Sequence, residues 1–291
     1  LTKKDIDELI AAKEEKEANR YIHVFDELKL TVENARWGPI IKLKKKKLTI
    51  GDRIRRFRIA MRQFLLTRIK RLLRLLLIIL AILILIPVGL TFLYSSTSIN
   101  PVSTLMVAHF VSGKPVERKW VTLDKINAVL VHSVMMSEDA KFCAHNGIDY
   151  EALNQVIDNA LEGEKTRGAS TLSMQTVKNL YLWSSRSYIR KGLEVPLAML
   201  VDAVWGKKRV MEIYLNIAEW GPGIYGIGAA SRHHFKRSAG RLSRRQAALL
   251  AVTLPNPKLR NPRKPTRHMK ILARLIQRRA KASGAYVGCL R

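Results

Sequence analysis

Cysteine is scarce in this chain of 291 residues, which holds only Cys143 and Cys289. Two cysteines cannot build a disulfide framework, and their spacing offers no CxxC pair for zinc. A bridge between them is admissible but is not the expectation. Acidic residues are also short, with 23 Asp and Glu against 52 Lys and Arg, a formal net charge of +29. That excess calls for an anionic partner: nucleic acid, an acidic membrane surface or a phosphorylated substrate. Several motifs are missing altogether. No Walker sequence, H-E-x-x-H or G-x-S-x-G occurs, and Gly221, Gly223, Gly226 and Gly228 follow a helical pattern in the wrong order for a dinucleotide fingerprint. No internal repeat is visible, and no convincing run of alternating strands. With 47% apolar residues the chain has ample material for a core, and the expected class is mostly α.

Along the chain, Thr2 with Asp5 resembles a capping box opening an exposed helix that runs to about Val24, and residues 1–41 read as a charged tail. Residues 42–74 form a basic segment from Lys44-Lys45-Lys46-Lys47 through Arg74. Alone it would pass for a nucleic-acid patch. Leu75 to Leu93 then contains no charged residue, close to the ~20 apolar residues that cross a ~30 Å hydrocarbon core. Residues 75–94 are therefore expected to be one transmembrane helix rather than a cleaved signal peptide. The basic run before it sets the tail in the cytoplasm, residues 95–291 outside, and the arginines on anionic lipid. Nucleic acid is not an expected partner.

Beyond the membrane segment the pattern is helical. Thr122 precedes a periodic apolar run ending at Glu138; Gly168 marks a turn with Ser170 as helix cap; Ser243 and Gln246 form a capping box; and a basic helix runs from Thr266 to Ser283 after a proline-rich loop. Two polar clusters stand out. Glu138-Asp139-x-x-Phe142-x-x-His145-x-Gly147 supplies an acid able to take a proton, although His145 reads as a hydrogen-bonded structural residue and His233-His234 as surface. In Gly168 to Asn179, helical spacing puts Thr171, Gln175 and Lys178 in one stripe, and the helix N-terminus suits phosphate. A third cluster follows in Arg186 and Arg190-Lys191-x-x-Glu194, whose helix has to accommodate Pro196.

Together these clusters resemble the motifs of the glycosyltransferase family 51 domain, the peptidoglycan transglycosylases. E-D-x-x-F-x-x-H-x-G is matched by Glu138, Asp139, Phe142, His145 and Gly147. G-x-S-T-x-x-x-Q-x-x-K-N is matched by Gly168, Ser170, Thr171, Gln175, Lys178 and Asn179, and R-K-x-x-E by Arg190, Lys191 and Glu194. Lys207 to Asn216 is similar to a fourth motif. No S-x-x-K, S-x-N, K-T-G series follows, and the stretch after the proline-rich loop is short, so the likeness is to the monofunctional type.

The resemblance implies a lysozyme-like, mostly α domain with a membrane-facing jaw behind one transmembrane helix. It implies an enzyme of the inner membrane, facing the periplasm, that polymerises lipid II into β-1,4 glycan for the cell wall. Glu138 would be the base, and Glu194 would orient cations or a divalent metal. Thr171, Gln175, Lys178, Asn179, Arg186, Arg190 and Lys191 would hold pyrophosphate and sugar, supported by Asp139, Phe142, His145, Gly168 and Ser170. No tightly bound cofactor is expected, a Mg or Mn ion near the pyrophosphate being the exception. Expected partners are lipid II, the nascent lipid-linked glycan, the membrane, and proteins of wall synthesis or division. A membrane-anchored muramidase-like enzyme and a non-enzymatic basic scaffold are the competing readings.

Overall fold

The computed structural model describes residues 2–25, 30–36, 38–43, 46–163, 168–183, 185 and 187–291. The chain divides into two compact units, Leu1–Ala81 and Ile82–Arg291.

In the first unit, α1 (Lys3–Ala18) has the predicted box, with the Thr2 amide and hydroxyl each donating to Asp5 at 2.7 Å. Ile6, Leu9 and Ile10 stay exposed. The helix ends well before Val24, at Asn19. Residues expected to continue it form instead β1 (Tyr21–Phe25), followed by β2 (Leu30–Ala35), β3 (Gly38–Leu43) and β4 (Lys46–Thr49). The four make an antiparallel meander in the order β1-β2-β3-β4. Tyr21, Ile22, Val24 and Phe25 are β-branched or aromatic, which lose more side-chain freedom in a helix than in a strand. The 41/42 boundary drawn from composition falls inside β3.

One helix, α2, runs from Ile50 to Tyr94 through both the basic and the apolar segment. It contains a stretch long and apolar enough to cross a membrane. Its end is tied into the second unit. Trp205 Nε1 donates to the Thr91 carbonyl at 2.6 Å, and the Thr91 and Tyr181 hydroxyls lie 3.1 Å apart. Arg209 donates to the carbonyls of Tyr94, Ser96 and Ile99, serving acceptors that a helix end leaves open.

The rest of the second unit is α3 (Thr104–Val111), β5 (Glu117–Arg118), α4 (Ala128–Glu138), α5 (Tyr150–Leu161), α6 (Leu172–Tyr181), α7 (Tyr188–Ile217), β6 (Glu219–Gly221), β7 (Ile224–Tyr225), α8 (Gly226–Phe235), α9 (Arg244–Thr253) and α10 (Arg267–Ala282). The mostly α class holds, with one small sheet ordered β5-β7-β6. α4 packs on α9 and α10, while α6 packs on α7 and α3. Leu130, Val134, Val210, Ile213, Leu215, Ala248 and Leu250 are fully buried between these elements. Exposed apolar side chains fall on α3 (Phe110), α5 (Leu161) and the start of α7 (Tyr188, Ile189).

α4 starts six residues after Thr122, capped by Asn127. α7 passes through Pro196 and bends at Gly206, where φ is +68°. The Ser243–Gln246 box and the Thr266 cap are as expected. Cys143 and Cys289 form a disulfide across a sequence separation of 146, contrary to the expectation from their number alone.

Candidate active site

α4 ends at Glu138 because the backbone leaves the helix at Asp139, so the carboxylate projects from a core helix into a cleft. That cleft, of about 310 Å³, is lined by Glu138, Asp139, Lys141 and Asp149 and closed by the turn from Gly168 to Thr171. Glu138 accepts from Gln175 Nε2 at 3.2 Å, and Gln175 Oε1 accepts from the buried Tyr214 hydroxyl at 3.2 Å. Because a phenol can only donate to that oxygen, the amide is held with its NH2 toward Glu138. Burial raises the pKa of Glu138, opposed by the hydrogen bonds from Gln175 and Ser137 and by the charges of Arg260 and Lys178. A carboxylate whose proton affinity is raised by desolvation is a competent base.

The turn after Glu138 is the junction of the domain. Asp139 accepts from His145 Nε2 at 3.0 Å and from the Leu172 amide at 2.9 Å. His145 thus makes the kind of hydrogen bond expected of it. Gly147 takes φ +86°, and a Cβ there would stand 2.6 Å from the Ala198 carbonyl oxygen, so glycine is required. Its carbonyl accepts from Thr171 Oγ1 at 2.6 Å. Phe142 is fully buried with Lys207 Nζ 4.7 Å from its ring centre, and Lys207 also donates to the His145 carbonyl and to Asp202.

Two expectations about α6 change. Its cap is Thr171, not Ser170: the Thr171 hydroxyl accepts from the Met174 amide at 3.1 Å. The N-terminus of α6 is not open to phosphate either, since Thr171 is buried and the Asp139 carboxylate holds the first amide. Thr171 and Gln175 therefore position the carboxylate side. Lys178, farther along the stripe, faces a separate cavity of about 300 Å³ together with Asn179.

The third cluster forms as an ion-paired group. Glu194 is buried and accepts from Arg190 Nη1 and, at 2.9 Å, from Lys191 Nζ. Lys191 Nζ also reaches Ser170 Oγ at 2.7 Å, which joins α7 to the Gly168 turn. Arg190 Nε donates to the Ser185 carbonyl. Pro196 leaves this geometry intact, since only the hydrogen bond to the Gly192 carbonyl is lost. Burial, then the charges of Arg190 and Lys178, push Lys191 down to about 8. Burial and the charge of Arg190 lower Lys178 too, against the charge of Glu138. Arg186 lies outside the described residues.

Among the described residues no group of three or more His, Cys, Asp or Glu could hold a metal. Both Glu194 oxygens already accept from cations, so this donor set does not fit a divalent ion. His234, expected at the surface, is buried and bonded to the Trp220 carbonyl. Tyr214, Asp202, Lys207 and Arg260 were missed. Tyr214 and Lys207 lie in the fourth motif-like stretch, but nothing local in the sequence aims Arg260 at Glu138.

The family model for the transglycosylases matches residues 104–281. The chain is 60% identical over 210 residues to the biosynthetic peptidoglycan transglycosylase of Brucella suis biovar 1, covering 72% of this chain and 94% of that protein. It is 59% identical over 208 residues to the protein of the same name from Agrobacterium fabrum, with 72% and 92% covered. To that from Mesorhizobium japonicum it is 60% identical over 210 residues, with 72% and 89% covered. With the carboxylate, its amide relay and the cation cluster in the matched region, this chain belongs to the transglycosylase family.

Proposed function

We propose that this transglycosylase polymerises lipid II: the 4-hydroxyl of an acceptor sugar loses its proton to Glu138 and attacks the anomeric carbon of a donor held through undecaprenyl pyrophosphate. The attack inverts that carbon and expels the pyrophosphate. The observation that carries the reading is the pairing of one desolvated carboxylate, fixed by Gln175, with three cations beyond it, Lys178, Arg190 and Lys191.

Charge on the leaving pyrophosphate grows toward the transition state, so preorganised cations lower the barrier more than they tighten ground-state binding. Glu194 keeps Arg190 and Lys191 in place, and no step is routed through a metal. A hydrolase of polymeric glycan has no use for such a cluster, which sets the muramidase-like reading aside.

The domain works outside the cytoplasm. The basic run ahead of the apolar stretch of α2 supports a cytoplasmic N-terminus and contacts with anionic lipid, and the Cys143–Cys289 bridge suits an oxidising compartment such as the periplasm. The exposed apolar residues of α3, α5 and α7 suit a jaw turned to the bilayer. Proteins of wall synthesis or division are the partners expected beside it.

The test is labelled lipid II offered to the full chain in detergent, with muramidase digestion of any polymer. Wild type should make muramidase-sensitive glycan and Glu138→Gln none, while remaining folded. Polymer from Glu138→Gln at the wild-type rate would remove the base assignment.

A further inference from the structure

We propose that the groove between α8 and the segment leading from β5 to α4 is a second membrane contact, which takes the phosphate headgroup of an anionic phospholipid. The inference rests on α2 crossing the membrane and is independent of the chemistry at Glu138.

The groove is a cavity of about 450 Å³, within the ~300 to 1,000 Å³ of small-molecule sites. Lys119, Lys125 and Arg232 stand on its wall with Trp120 and Ser238, and no Asp or Glu lines it. All three cations are exposed, and among the described residues none of them forms an ion pair. Their backbones are fixed by close packing. A Cβ on Gly228 would stand 2.3 Å from the Lys119 carbonyl oxygen, and one on Gly240 2.9 Å from that of Lys125. Glycine at both places lets α8 and the turn at Ala239–Arg241 press directly on the opposite wall. Three unpaired cations on one wall repel one another, and an anion among them relieves that repulsion. A phosphodiester fits, since it carries one negative charge and its oxygens accept from lysine and, two at a time, from arginine.

The place of the groove in the fold makes that anion a lipid. Trp120 lies against two arginines, with Arg118 Cζ 4.9 Å and Arg209 Cζ 5.7 Å from its ring centre. Arg118 donates to the carbonyl of Pro101, and Arg209 to those of Tyr94, Ser96 and Ile99. These carbonyls belong to the last residue of α2 and the segment that follows it, so one wall of the groove is fastened to the chain where it leaves the apolar span. Headgroups fill the layer just beyond the hydrocarbon, and tryptophan and long cationic side chains are the ones that settle there. A groove for a soluble acidic polymer would need no such tie to a membrane helix.

The experiment uses the full chain in non-ionic detergent, with an environment-sensitive dye on Ser238→Cys to report the groove. The probes are a short-chain phosphatidylglycerol, the phosphatidylcholine of equal chain length, and inorganic phosphate. Phosphatidylglycerol should give a saturable response about tenfold tighter than either of the others. Lys119→Gln, Lys125→Gln and Arg232→Gln should each weaken it about fivefold, the factor that about 1 kcal/mol per cation gives. Lys119→Arg, which keeps the charge, and Arg267→Gln and Arg274→Gln, which remove exposed cations from α10, should leave it unchanged. An equal response to phosphatidylcholine overturns the headgroup assignment, and inorganic phosphate binding as tightly as the lipid overturns the lipid as its source. Unchanged binding in the triple Gln variant, shown by thermal unfolding to be folded, removes the groove. Co-flotation with phosphatidylcholine vesicles reads α2 on its own. Every variant should float, and a chain that stays behind refutes the span, and with it the proposal, whatever the dye reports.

Discussion

Breaking the Cys143–Cys289 bridge should destabilise the catalytic domain more than any single surface change. The bridge closes a loop across a separation of 146 residues, nearly the whole domain after Glu138. Chain-entropy arithmetic for a loop of that length gives about 5 kcal/mol, near the top of the range of about 2 to 5 found when native bridges are removed. For a domain of this size about 1 kcal/mol moves Tm by roughly 2 to 4 °C, so a fall of about 10 to 20 °C is expected. The loss has a local side, because Cys143 lies between buried Phe142 and His145 in the turn that carries Asp139 and Gly147. The assay is thermal unfolding of the full chain in detergent, with and without reductant, alongside the Cys143→Ser/Cys289→Ser double variant. Polymerisation is measured well below the lowered Tm. A shift under about 2 °C in both arms, or two reactive thiols in the unreduced denatured protein, would refute the reasoning.

Three further outcomes follow from the site. Lys191 is held to about 8 by burial and neighbouring cations, so its charge, full below that pH, is lost as pH rises through it, while Glu138 must lose its proton to act as base. The pH–rate profile should therefore be a bell whose alkaline limb lies near 8 and moves upward in Lys191→Arg; an unmoved limb would detach Lys191 from the pyrophosphate. Glu194→Ala strands buried Arg190 without its partner, which should remove about 3 kcal/mol of stability and most of the activity, read by denaturant unfolding and by glycan yield. Gly147→Ala sets a Cβ against the Ala198 carbonyl in a left-handed conformation, and a loss of about 2 kcal/mol or more should appear as a lower unfolding midpoint.

Much of the protein can be read from short-range chemistry. The stretch from Leu75 to Leu93 has the length and apolar composition to cross a membrane, and Ser243 with Gln246 marks a helix start because both partners of the box are local. The i, i+4 pair of Arg190 and Glu194 is likewise a property of helical spacing, which is why it forms despite Pro196. The strands β1 to β4 are the counterexample: each pairs with its neighbour in sequence, but a charged, unalternating pattern hides the strands themselves.

The contents of the catalytic cleft were set by the sequence, and their duties by the packing. Ordered motifs named Glu138, Thr171, Gln175, Lys178 and Glu194, yet Thr171 and Gln175 looked like anion ligands until the turn at Asp139 brought the end of α4 within hydrogen-bond reach of α6. Once the Asp139 carboxylate occupies the start of α6, an anion there would face a carboxylate instead of a free amide. Tyr214, 39 residues beyond Gln175, then turns that amide toward the base. The pairing of Cys143 with Cys289 is of the same kind. Hydrogen bonds and disulfides act over a few ångströms, and only the folded chain brings residues so far apart in sequence within that reach.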